Sequence, residues 1–592
     1  MHREMNNKEL ATLFRAITAA LEVKGKNQFQ IKAYDEAASA IEHSTSEVKD
    51  LWDDGKLEEI PGVGKSLASH LDELFRKGNV RHFEQVMKGL PPTMFELLDI
   101  PGIGAKTAYR LCKELKLKDP KTVIGDLSKA AKEGKIAPIE SFGEKSQADI
   151  LEALEEFKKG QIKKKRMPLP YADAISQEII AYLQKCPLTI QADSLGSLKR
   201  RVATVGDIDI AVATKKPAEV IEWFIAYPKK KKIIEKGPTG GSILLKSGQQ
   251  VDLRVQKPQA YGSMLQYFIG SKHHNIHLRE LALKKGLSLS EYGIKKGKKL
   301  TEYATEEEFY QALGMPWIPP EIREDTGEIE AAQAGKLPKL VELKEIKGDL
   351  HIHSDFPIEP SHDEGGDSIA TLMTKGKKLG YEYLGLAEHN PSLSQHNQKQ
   401  IISILKRKKE EVDKINYSRG RKLLINIFNG LEIDIKPDGN LAIPEEGFKY
   451  LDFAIASVHS SFKMSRKQMT KRILSSIQHP KIKIIGHPTG RMLGVREGYE
   501  LDWLEVFSFC KKKGVWLEIN AWPNRLDLTD ILVKDAVKNG VKMIIGTDSH
   551  QVDQMDLMEY GVAVARRGWA TRNDIINTMS YNQFMKALKG GE

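Results

Sequence analysis

Residues 196–209 read GSLKRRVATVGDID, and the last of them open a run in which acidic and apolar side chains alternate. Asp207 and Asp209 point to one face of a predicted strand, because side chains along a strand point in turn to its two faces. Two like charges held side by side need a counter-charge, and a divalent cation bound to both carboxylates supplies one. The alternation therefore predicts a strand that binds a metal ion.

Two neighbouring features support this interpretation. Asp252 lies in another apolar run, QVDLRV, and we expect it to approach as a third oxygen ligand. Gly196 and Ser197, followed by the basic residues 199–201, offer backbone N–H groups, a hydroxyl group and cations, which are the groups that bind a triphosphate. An isolated Asp-x-Asp pair is more often a solvated acidic strand edge, but the residues before this one favour a metal site.

Length and composition set wider limits. The chain has 592 residues, too many for one hydrophobic core, so several domains are expected. A net charge of +11 and a pI near 9.0 suggest a polyanionic partner, first of all nucleic acid, although any one lysine run is more often a solvated surface. Three cysteines without metal-type spacing indicate a reducing compartment. Without a long apolar run or a signal peptide, we expect a cytoplasmic protein that contacts no membrane.

Two similar segments near the N-terminus, IPGVGK at residues 60–65 and IPGIGAK at residues 100–106, each precede an amphipathic helical pattern. Their glycines permit a tight turn, and backbone N–H groups at the start of the next helix can hold a phosphate. One copy is more often a plain helical turn, but two copies in a basic region indicate binding to the DNA backbone. Both segments resemble helix-hairpin-helix motifs. The predicted DNA-binding residues are Gly62, Gly64, Lys65, Gly102, Gly104 and Lys106.

Further motifs follow in the order and spacing of a known family. Residues 267–271 read YFIGS and residues 275–279 read NIHLR. Together with Gly196-Ser197, GDID at residues 206–209 and VDLR at residues 251–254, they resemble the family X DNA polymerases over roughly the first half of the chain. The resemblance implies an α+β nucleotidyltransferase palm with helical fingers and thumb. It also implies templated addition of dNTPs to gapped or primer-template DNA.

The same resemblance implies individual roles. Asp207, Asp209 and Asp252 would hold two Mg²⁺ or Mn²⁺ ions and, with Arg254 near the primer terminus, form the catalytic group. Two metal ions bridged by carboxylates stabilise charge on both the attacking and the leaving oxygen of a phosphoryl transfer. The predicted nucleotide-binding residues are Gly196, Ser197, Arg200, Gly206, Tyr267, Phe268, Gly270, Asn275 and Arg279, with Arg279 on the template side.

One position departs from the family pattern in a way that affects chemistry. In the beta-like members, the helix after the first hairpin carries a lysine whose amine forms a Schiff base with a 5′-deoxyribose phosphate. His70 stands at that position. An imidazole cannot form a stable imine with a sugar aldehyde as a primary amine can. We therefore expect weak or absent lyase activity.

The second half of the chain changes in its use of histidine. Residues 349–354 read DLHIHS, which places two imidazoles on one side of a predicted strand at a metal-binding spacing. One such pair is more often not a metal site. Here, polar groups follow five further apolar runs, which is typical of the catalytic face of a β/α barrel. These groups are His389, Glu432, His459, His487, and Asp548 with His550.

Residues 345–585 resemble a PHP domain, whose fold is a distorted seven-stranded β/α barrel with up to three metal ions. The resemblance implies a 3′-5′ exonuclease or related 3′-end phosphoesterase that uses two or three Mn²⁺, Zn²⁺ or Fe²⁺ ions. Asp363 or Glu364 fills a position where the family has an aspartate, and Glu388 replaces the customary aspartate beside His389. The other implied metal ligands are His351, His353, His389, Glu432, His459, His487, Asp548 and His550.

The leading hypothesis is a monomeric, nucleoid-associated bacterial repair polymerase that fills short gaps, as in base excision repair, and trims 3′ ends. One alternative is that the polymerase half only docks DNA and the PHP phosphoesterase is the sole working enzyme; another is a purely architectural DNA-binding protein. The multidomain architecture comprises a helical DNA-binding domain with a helix-hairpin-helix (residues 1–90), a second helix-hairpin-helix region (91–165), the palm (166–258), a thumb and nucleotide-selection subdomain (259–318), a linker (319–346) and the PHP domain (347–592).

Overall fold

A computed structural model shows two compact units, residues 1–165 and 166–592. None of the helices within the described residues combines the length and the apolar character that a membrane span requires. The structure describes residues 5, 7–42, 48–53, 55–60, 62–100, 103–120, 122–140, 142–144, 146–148, 150–151, 154, 166–417 and 425–589.

The first unit is helical in its described residues and has two apolar cores. Phe14 of the first helix packs against Tyr34 of the second, with ring centroids 5.5 Å apart. Apolar side chains that recur at helical spacing build the first core, as the sequence pattern predicts. A second core forms around Ile103 and Leu111. The helices are α1 (Asn7–Val23), α2 (Gln28–Glu42), α3 (Val48–Asp53), α4 (Lys65–Lys77), α5 (Arg81–Met87), α6 (Thr93–Glu96), α7 (Ala105–Glu114) and α8 (Val123–Lys132).

The second unit begins with a five-stranded mixed sheet in the order β2-β4-β7-β6-β5. Ile208 and Ile210 face the core between this sheet and its helices. The lysine run at residues 229–232, which the sequence suggests is a solvated loop, instead leads into the exposed edge strand β5. The elements are β1 (Met167–Pro168), α9 (Leu169–Gln184), β2 (Gln191–Ser194), α10 (Gly196–Lys199), β3 (Thr204–Val205), β4 (Ile208–Ala213), α11 (Pro217–Ile225), β5 (Lys230–Gly237), β6 (Gly240–Leu245) and β7 (Gln250–Gln256).

A smaller region of helices and short strands follows the sheet, and it includes the segment expected to be a linker. Residues 319–346 are folded rather than extended, because Arg323 is buried against Glu306 and Glu328 is buried against His274. Charged side chains in a sequence segment therefore do not mark a solvated spacer here. The elements are α12 (Tyr261–Ile269), α13 (Lys272–Lys284), β8 (Leu287–Ser290), β9 (Gly293–Lys296), β10 (Lys299–Thr301), α14 (Glu306–Ala312) and α15 (Glu328–Gln333).

The rest of the unit is a β/α barrel of parallel strands. Its strands are β11 (Gly348–Ile352), β12 (Tyr383–Leu386), β13 (Asn426–Asn429), β14 (Glu432–Asp434), β15 (Ala454–Ser457), β16 (Ile482–Ile485), β17 (Trp516–Asn520) and β18 (Met543–Gly546). Its helices are α16 (Ile369–Lys378), α17 (Gln398–Tyr417), α18 (Arg466–Ser476), α19 (Trp503–Lys513), α20 (Asp530–Asn539), α21 (Met558–Arg567) and α22 (Tyr581–Leu588).

The barrel is distorted at one place. Strands β11 to β13 pair in one sheet and β14 to β18 in another, and bridges between Ile352 and Ser549 and between His389 and Glu432 join the two sheets. Strands β13 and β14 are parts of one strand that is interrupted at residues 430–431. With this strand counted once, the ring has the seven strands that the resemblance implies.

Candidate active sites

Parallel pairing brings two of the predicted catalytic carboxylates together. Strands β4 and β7 pair with Asp209 directly opposite Asp252. Asp207 lies in the bend immediately before β4, just outside the strand that the sequence alternation predicts. Gln250 Nε2 donates a hydrogen bond to Asp252 Oδ1 at 3.0 Å, and the Ser242 hydroxyl donates another. The third carboxylate is therefore held in a fixed orientation.

Burial and neighbouring carboxylates raise the pKa values of Asp207 and Asp209. Burial raises the pKa of Asp209 to about 6, and the carboxylates of Asp252 and Asp207 act in the same direction. Burial and Asp252 also raise the pKa of Asp207. Closely spaced carboxylates with raised pKa values are relieved by a divalent cation, and their oxygen atoms are the donors that Mg²⁺ and Mn²⁺ prefer. The residues present therefore fit the predicted metal site.

The close approach of the turn before the acids to Asp209 explains why residue 196 is a glycine. Gly196 has a φ of +55°, and a Cβ atom there would lie 2.8 Å from Asp209 Oδ2. Arg200 lies near enough to lower the pKa of Asp209, while its Nε donates to Glu324 Oε1 at 3.0 Å. Arg201, expected among the cations near the triphosphate, instead pairs with Asp173 and with Glu559 at the barrel.

Residues predicted to line the nucleotide pocket contact one another around α12 and α13. The Arg279 guanidinium lies 5.1 Å from the centre of the Tyr267 ring, and the Arg254 guanidinium lies 5.3 Å from that of Phe268. Asn275 Nδ2 donates to the carbonyl of Tyr267 at 2.7 Å. Arg279 and Asn275 thus contact the ring and the backbone carbonyl of Tyr267, and Arg254 of β7 contacts Phe268.

Two more glycines of the predicted pocket lie beside arginines. Gly270 has a φ of +76°, and a Cβ atom there would lie 3.2 Å from Arg200 Nη1. A Cβ atom at Gly206 would lie 3.5 Å from Arg166 Nη1. A side chain at Gly270 would therefore crowd Arg200, whereas a Cβ atom at Gly206 would make only an ordinary contact with Arg166.

The barrel gathers the histidines and acids that follow its strands. In each of three groups, one nitrogen or oxygen atom from every member lies within 4.8 Å of the others. Glu432 belongs to two of these groups, which suits a carboxylate that bridges two ions. The groups are His351, His353, Glu432 and Asp548; Glu432, His459 and His487; and His353, His389 and His550.

The structure distinguishes the two acids left open by the sequence. Asp363 Oδ1 lies 3.3 Å from His389 Nε2, and Asp363 Oδ2 lies 3.4 Å from His550 Nε2. A hydrogen bond with His389 lowers the pKa of Asp363. Glu364 is exposed. This geometry favours Asp363 as the ligand that accompanies His389 and His550.

The barrel cluster contains buried polar atoms without hydrogen-bond partners, and this observation tests whether the residues fit metal ions. An unpaired buried polar atom costs about 1–3 kcal/mol, so several in one place require an explanation. Imidazole nitrogens and carboxylate oxygens together form a donor set that Mn²⁺, Fe²⁺ and Zn²⁺ accept. The residues therefore fit a polynuclear site. Among the described residues of the cluster, the buried atoms without a hydrogen bond are His351 Nε2, His353 Nδ1, His389 Nδ1, Glu432 Oε2, His487 Nδ1 and His550 Nε2. Three of these nitrogens, on His351, His389 and His550, lie within 3.4 Å of a carboxylate oxygen without forming a hydrogen bond to it.

The sequence did not lead us to predict two carboxylates that support the metal-binding histidines. Glu518 Oε1 lies 2.6 Å from His351 Nδ1, and Asp434 Oδ1 lies 2.7 Å from His459 Nδ1. Carboxylates on the outer nitrogen of a metal-binding imidazole fix its orientation and raise its basicity. A sequence signal existed for both, because Glu518 interrupts the apolar run WLEIN and Asp434 lies two residues after Glu432, on the same face of its strand.

The two hairpins of the first unit have the same local geometry. Gly64 precedes α4 and Gly104 precedes α7, both with extended backbone and without a side-chain cap. Gly62 has a φ of +78° and packs closely on Glu36. Lys65 and Lys106 lie in the first turns of their helices, where backbone N–H groups also point outwards. Gly102, also predicted to bind DNA, lies outside the described residues.

Comparison with known proteins agrees with this arrangement. The families that match are a helix-hairpin-helix domain (residues 5–80), a SAM-like helix-hairpin-helix tandem (94–156), a DNA polymerase beta thumb (264–324) and a PHP domain (349–521). A full-length relative is the DNA polymerase/3′-5′ exonuclease PolX of Bacillus subtilis strain 168. It is 34% identical over 589 residues, which cover 99% of this chain and 100% of the relative.

The chain belongs to the PHP-containing family X DNA polymerases. Relatives of each half agree with this assignment. DNA polymerase lambda of Rattus norvegicus is 24% identical over 298 residues, 45% of this chain and 48% of the relative. A probable phosphatase of Thermoanaerobacter sp. strain X514 is 26% identical over 259 residues, 41% of this chain and 97% of the relative.

In this family X polymerase, the unusual Glu388 has a structural partner. Lys408 is fully buried, its ammonium group forms an ion pair with the Glu388 carboxylate, and it donates hydrogen bonds to the carbonyls of Leu386 and Gly430. Burial lowers the pKa of Lys408, although Glu388 opposes this effect. Glu388 therefore anchors α17 to the strands beneath the metal site.

His70 of this family X polymerase lies in an aromatic cluster. Its Nδ1 is 2.8 Å from the Tyr34 hydroxyl, and its ring stacks on His82 with centroids 4.8 Å apart. Burial and His82 lower the pKa of His70. The position is thus occupied by an imidazole that is held by its neighbours, and it offers no primary amine.

We predict that Lys408→Met destabilises the protein by about 3–5 kcal/mol, because Glu388 then remains buried without its cation. Urea-induced unfolding measures the effect. Lys406→Met is the matched control on the same helix, since the Lys406–Glu410 pair is exposed and should contribute less than about 1 kcal/mol. Equal effects of the two substitutions would contradict the role assigned to Lys408.

We also predict that borohydride traps no covalent complex between this polymerase and DNA with a 5′-deoxyribose phosphate, because His70 supplies no amine for an imine. A lyase-proficient polymerase serves as the positive control. A trapped complex that disappears in His70→Ala would contradict the prediction.

Proposed function

We propose that this chain is a DNA-directed DNA polymerase that fills short gaps during repair and also trims 3′ ends as a metal-dependent 3′-5′ exonuclease. The observation that carries the polymerase assignment is the pairing of Asp209 with Asp252 beside Asp207, next to a pocket that contains Arg254 and Arg279. The full-length similarity to a DNA polymerase/3′-5′ exonuclease supports both activities.

In the synthesis reaction, this chain's residues position the nucleotide and the 3′ end. Two Mg²⁺ or Mn²⁺ ions on Asp207, Asp209 and Asp252 supply charge stabilisation at the attacking and leaving oxygens. Ser197 and Arg200 contact the triphosphate. Because Arg200 is bonded to Glu324 in this structure, binding a dNTP exchanges or shares that ion pair.

The remaining pocket residues give the reaction its geometry. Tyr267 and Phe268 present ring faces and edges against which the sugar of the dNTP packs. Arg279, on the template side, is held over Tyr267, and Arg254 lies near the primer terminus. Asn275 fixes the backbone of Tyr267 by its hydrogen bond. Preorganised contacts of this kind accelerate in-line transfer mainly through positioning.

In the trimming reaction, the barrel holds the phosphodiester at the 3′ end of DNA. The histidines and acids of the barrel would hold two or three Mn²⁺, Zn²⁺ or Fe²⁺ ions, which would supply an activated water and charge stabilisation at the phosphate. Glu518 and Asp434 keep the rings of His351 and His459 in place through their outer nitrogens. The first unit holds the DNA backbone through its two hairpins, and the protein acts as a monomer.

A reciprocal pair of variants tests the two assignments. On gapped DNA with a labelled primer, Asp209→Ala should lower nucleotide-dependent extension by at least about 100-fold, because a ligand of both ions is removed. It should leave nucleotide-free shortening unchanged. His351→Ala should abolish shortening and leave extension unchanged. Gel electrophoresis of the labelled strand measures both reactions, and each variant is the control for the other.

Unchanged extension by Asp209→Ala would contradict the role assigned to this carboxylate. Shortening without any nucleotide-dependent extension in the wild type would show that the polymerase half only docks DNA. Loss of neither activity in the two variants would contradict the whole assignment. Tight DNA binding without any metal-dependent turnover in the wild type would identify an architectural protein instead.

We further predict that Lys65→Ala/Lys106→Ala weakens binding to gapped DNA and flattens its salt dependence. Removal of one phosphate-binding lysine reduces the slope of log K against log salt by about 0.9. Fluorescence anisotropy between about 50 and 200 mM salt measures the slope. Lys77→Ala is the matched control, since Lys77 lies at the opposite end of α4 and pairs with Glu73. An unchanged slope in the double variant would contradict phosphate binding by the hairpins.

A further inference from the structure

The long segment between β11 and α16 holds a histidine that none of the three barrel groups includes. Residues 355–367 are tied to the rim of the barrel through their backbone. Ser361 N donates to the carbonyl of Asn390 at 2.8 Å, and Gly366 N donates to that of His550 at 2.7 Å. His362 lies between these two anchors. Its position over the site is therefore set by backbone hydrogen bonds on both sides.

The His362 ring lies directly against two of the predicted metal ligands. Its centroid is 4.9 Å from that of His389 and 4.4 Å from that of His459. These three histidines form a fourth group in which one nitrogen of each ring lies within 4.8 Å of the others. Imidazole lone pairs that converge in this way are stabilised when a cation lies between them.

The carboxylate of Asp434 lies beside the fourth group and contacts two of its histidines. Asp434 Oδ1 lies 3.0 Å from His362 Nε2 and 2.7 Å from His459 Nδ1. The side chains of His362 and Asp434 are 35% and 25% exposed, so this side of the group opens towards solvent. Three imidazoles form a donor set suited to a divalent transition-metal ion with an open coordination position.

We propose that His362 is an additional metal ligand, which together with His389 and His459 binds a divalent transition-metal ion, with Asp434 as the hydrogen-bond partner that orients its ring. This inference rests on the metal-dependent function proposed for the barrel. The ion belongs to the Mn²⁺, Fe²⁺ and Zn²⁺ class, since imidazoles supply most of the donors. His362 thereby holds an ion on the open side of the cluster, where a phosphate of DNA would approach.

The competing explanation is that His362 only donates a hydrogen bond to Asp434. The substitutions His362→Gln and His362→Glu introduce side chains that are isosteric with each other, and together they separate the two roles. A glutamine amide can still donate to Asp434 but is a poor ligand. A glutamate carboxylate binds a cation but repels Asp434 when the cation is absent.

The experiment measures Mn²⁺ bound by the full chain at equilibrium over a range of free Mn²⁺, by dialysis and elemental analysis. Asp209→Ala in every sample removes binding at the polymerase site. His362→Gln should lower the affinity for one Mn²⁺ ion by about 10–100-fold, the size of effect seen when residues that support a metal site are removed. His362→Glu should retain that ion. Binding retained by His362→Gln and lost by His362→Glu would overturn the proposal.

His479→Gln is the matched control, because His479 also pairs with a single carboxylate, Glu445, at 3.1 Å but lies in none of the four groups. It should bind Mn²⁺ as the parent does. His351→Ala separates this inference from the proposed function. If His351→Ala loses Mn²⁺ and His362→Gln matches the parent, only the role of His362 is wrong. If His351→Ala also matches the parent, both the barrel metal site and the role of His362 are wrong.

Discussion

Parallel pairing of neighbouring strands is the constraint on which both candidate sites depend. In a parallel pair, the carboxyl ends of the strands lie at the same edge, so polar residues that follow buried runs meet there. Strands β4 and β7 bring Asp209 opposite Asp252 in this way. The barrel repeats the arrangement around a ring, and Glu432 lies where its two sheets meet through the bridge to His389.

Acids and imidazoles that meet at strand ends are buried close to one another, which carries an electrostatic cost. In each site, neighbouring charged groups offset part of that cost. In the palm, burial and the neighbouring carboxylates raise the pKa of Asp209, and Arg254 and Arg200 oppose part of this effect. In the barrel, burial alone would lower the pKa of His351, but Glu518 and the neighbouring acids raise it. The sites are thus arranged for bound cations. Neighbouring charged groups limit the electrostatic cost of each site when no cation is bound.

The palm and the barrel are connected through helix α21. Arg201 Nη2 lies 2.8 Å from Glu559 Oε2, and Arg567 Nη1 donates to the carbonyl of Arg200 at 2.8 Å. Glu324 accepts hydrogen bonds from both Arg200 and Arg567. The arginine assigned to the triphosphate therefore shares its acidic partner with a helix of the barrel, so the two catalytic parts are in direct contact within the second unit.

The sequence by itself determined the elements and most members of both sites, because period-two alternation, Pro-Gly-x-Gly turns and polar residues after apolar runs are local patterns. It identified Asp207, Asp209 and Asp252, and the histidines of the barrel, from such patterns. Only the tertiary structure decided which side chains meet across distant segments. It placed Asp363, and not Glu364, beside His389. It paired Arg201 with Glu559 and Glu388 with Lys408. It also placed the ring of His362 against that of His459. Those outcomes depend on contacts between residues far apart in the chain, which no local spacing encodes.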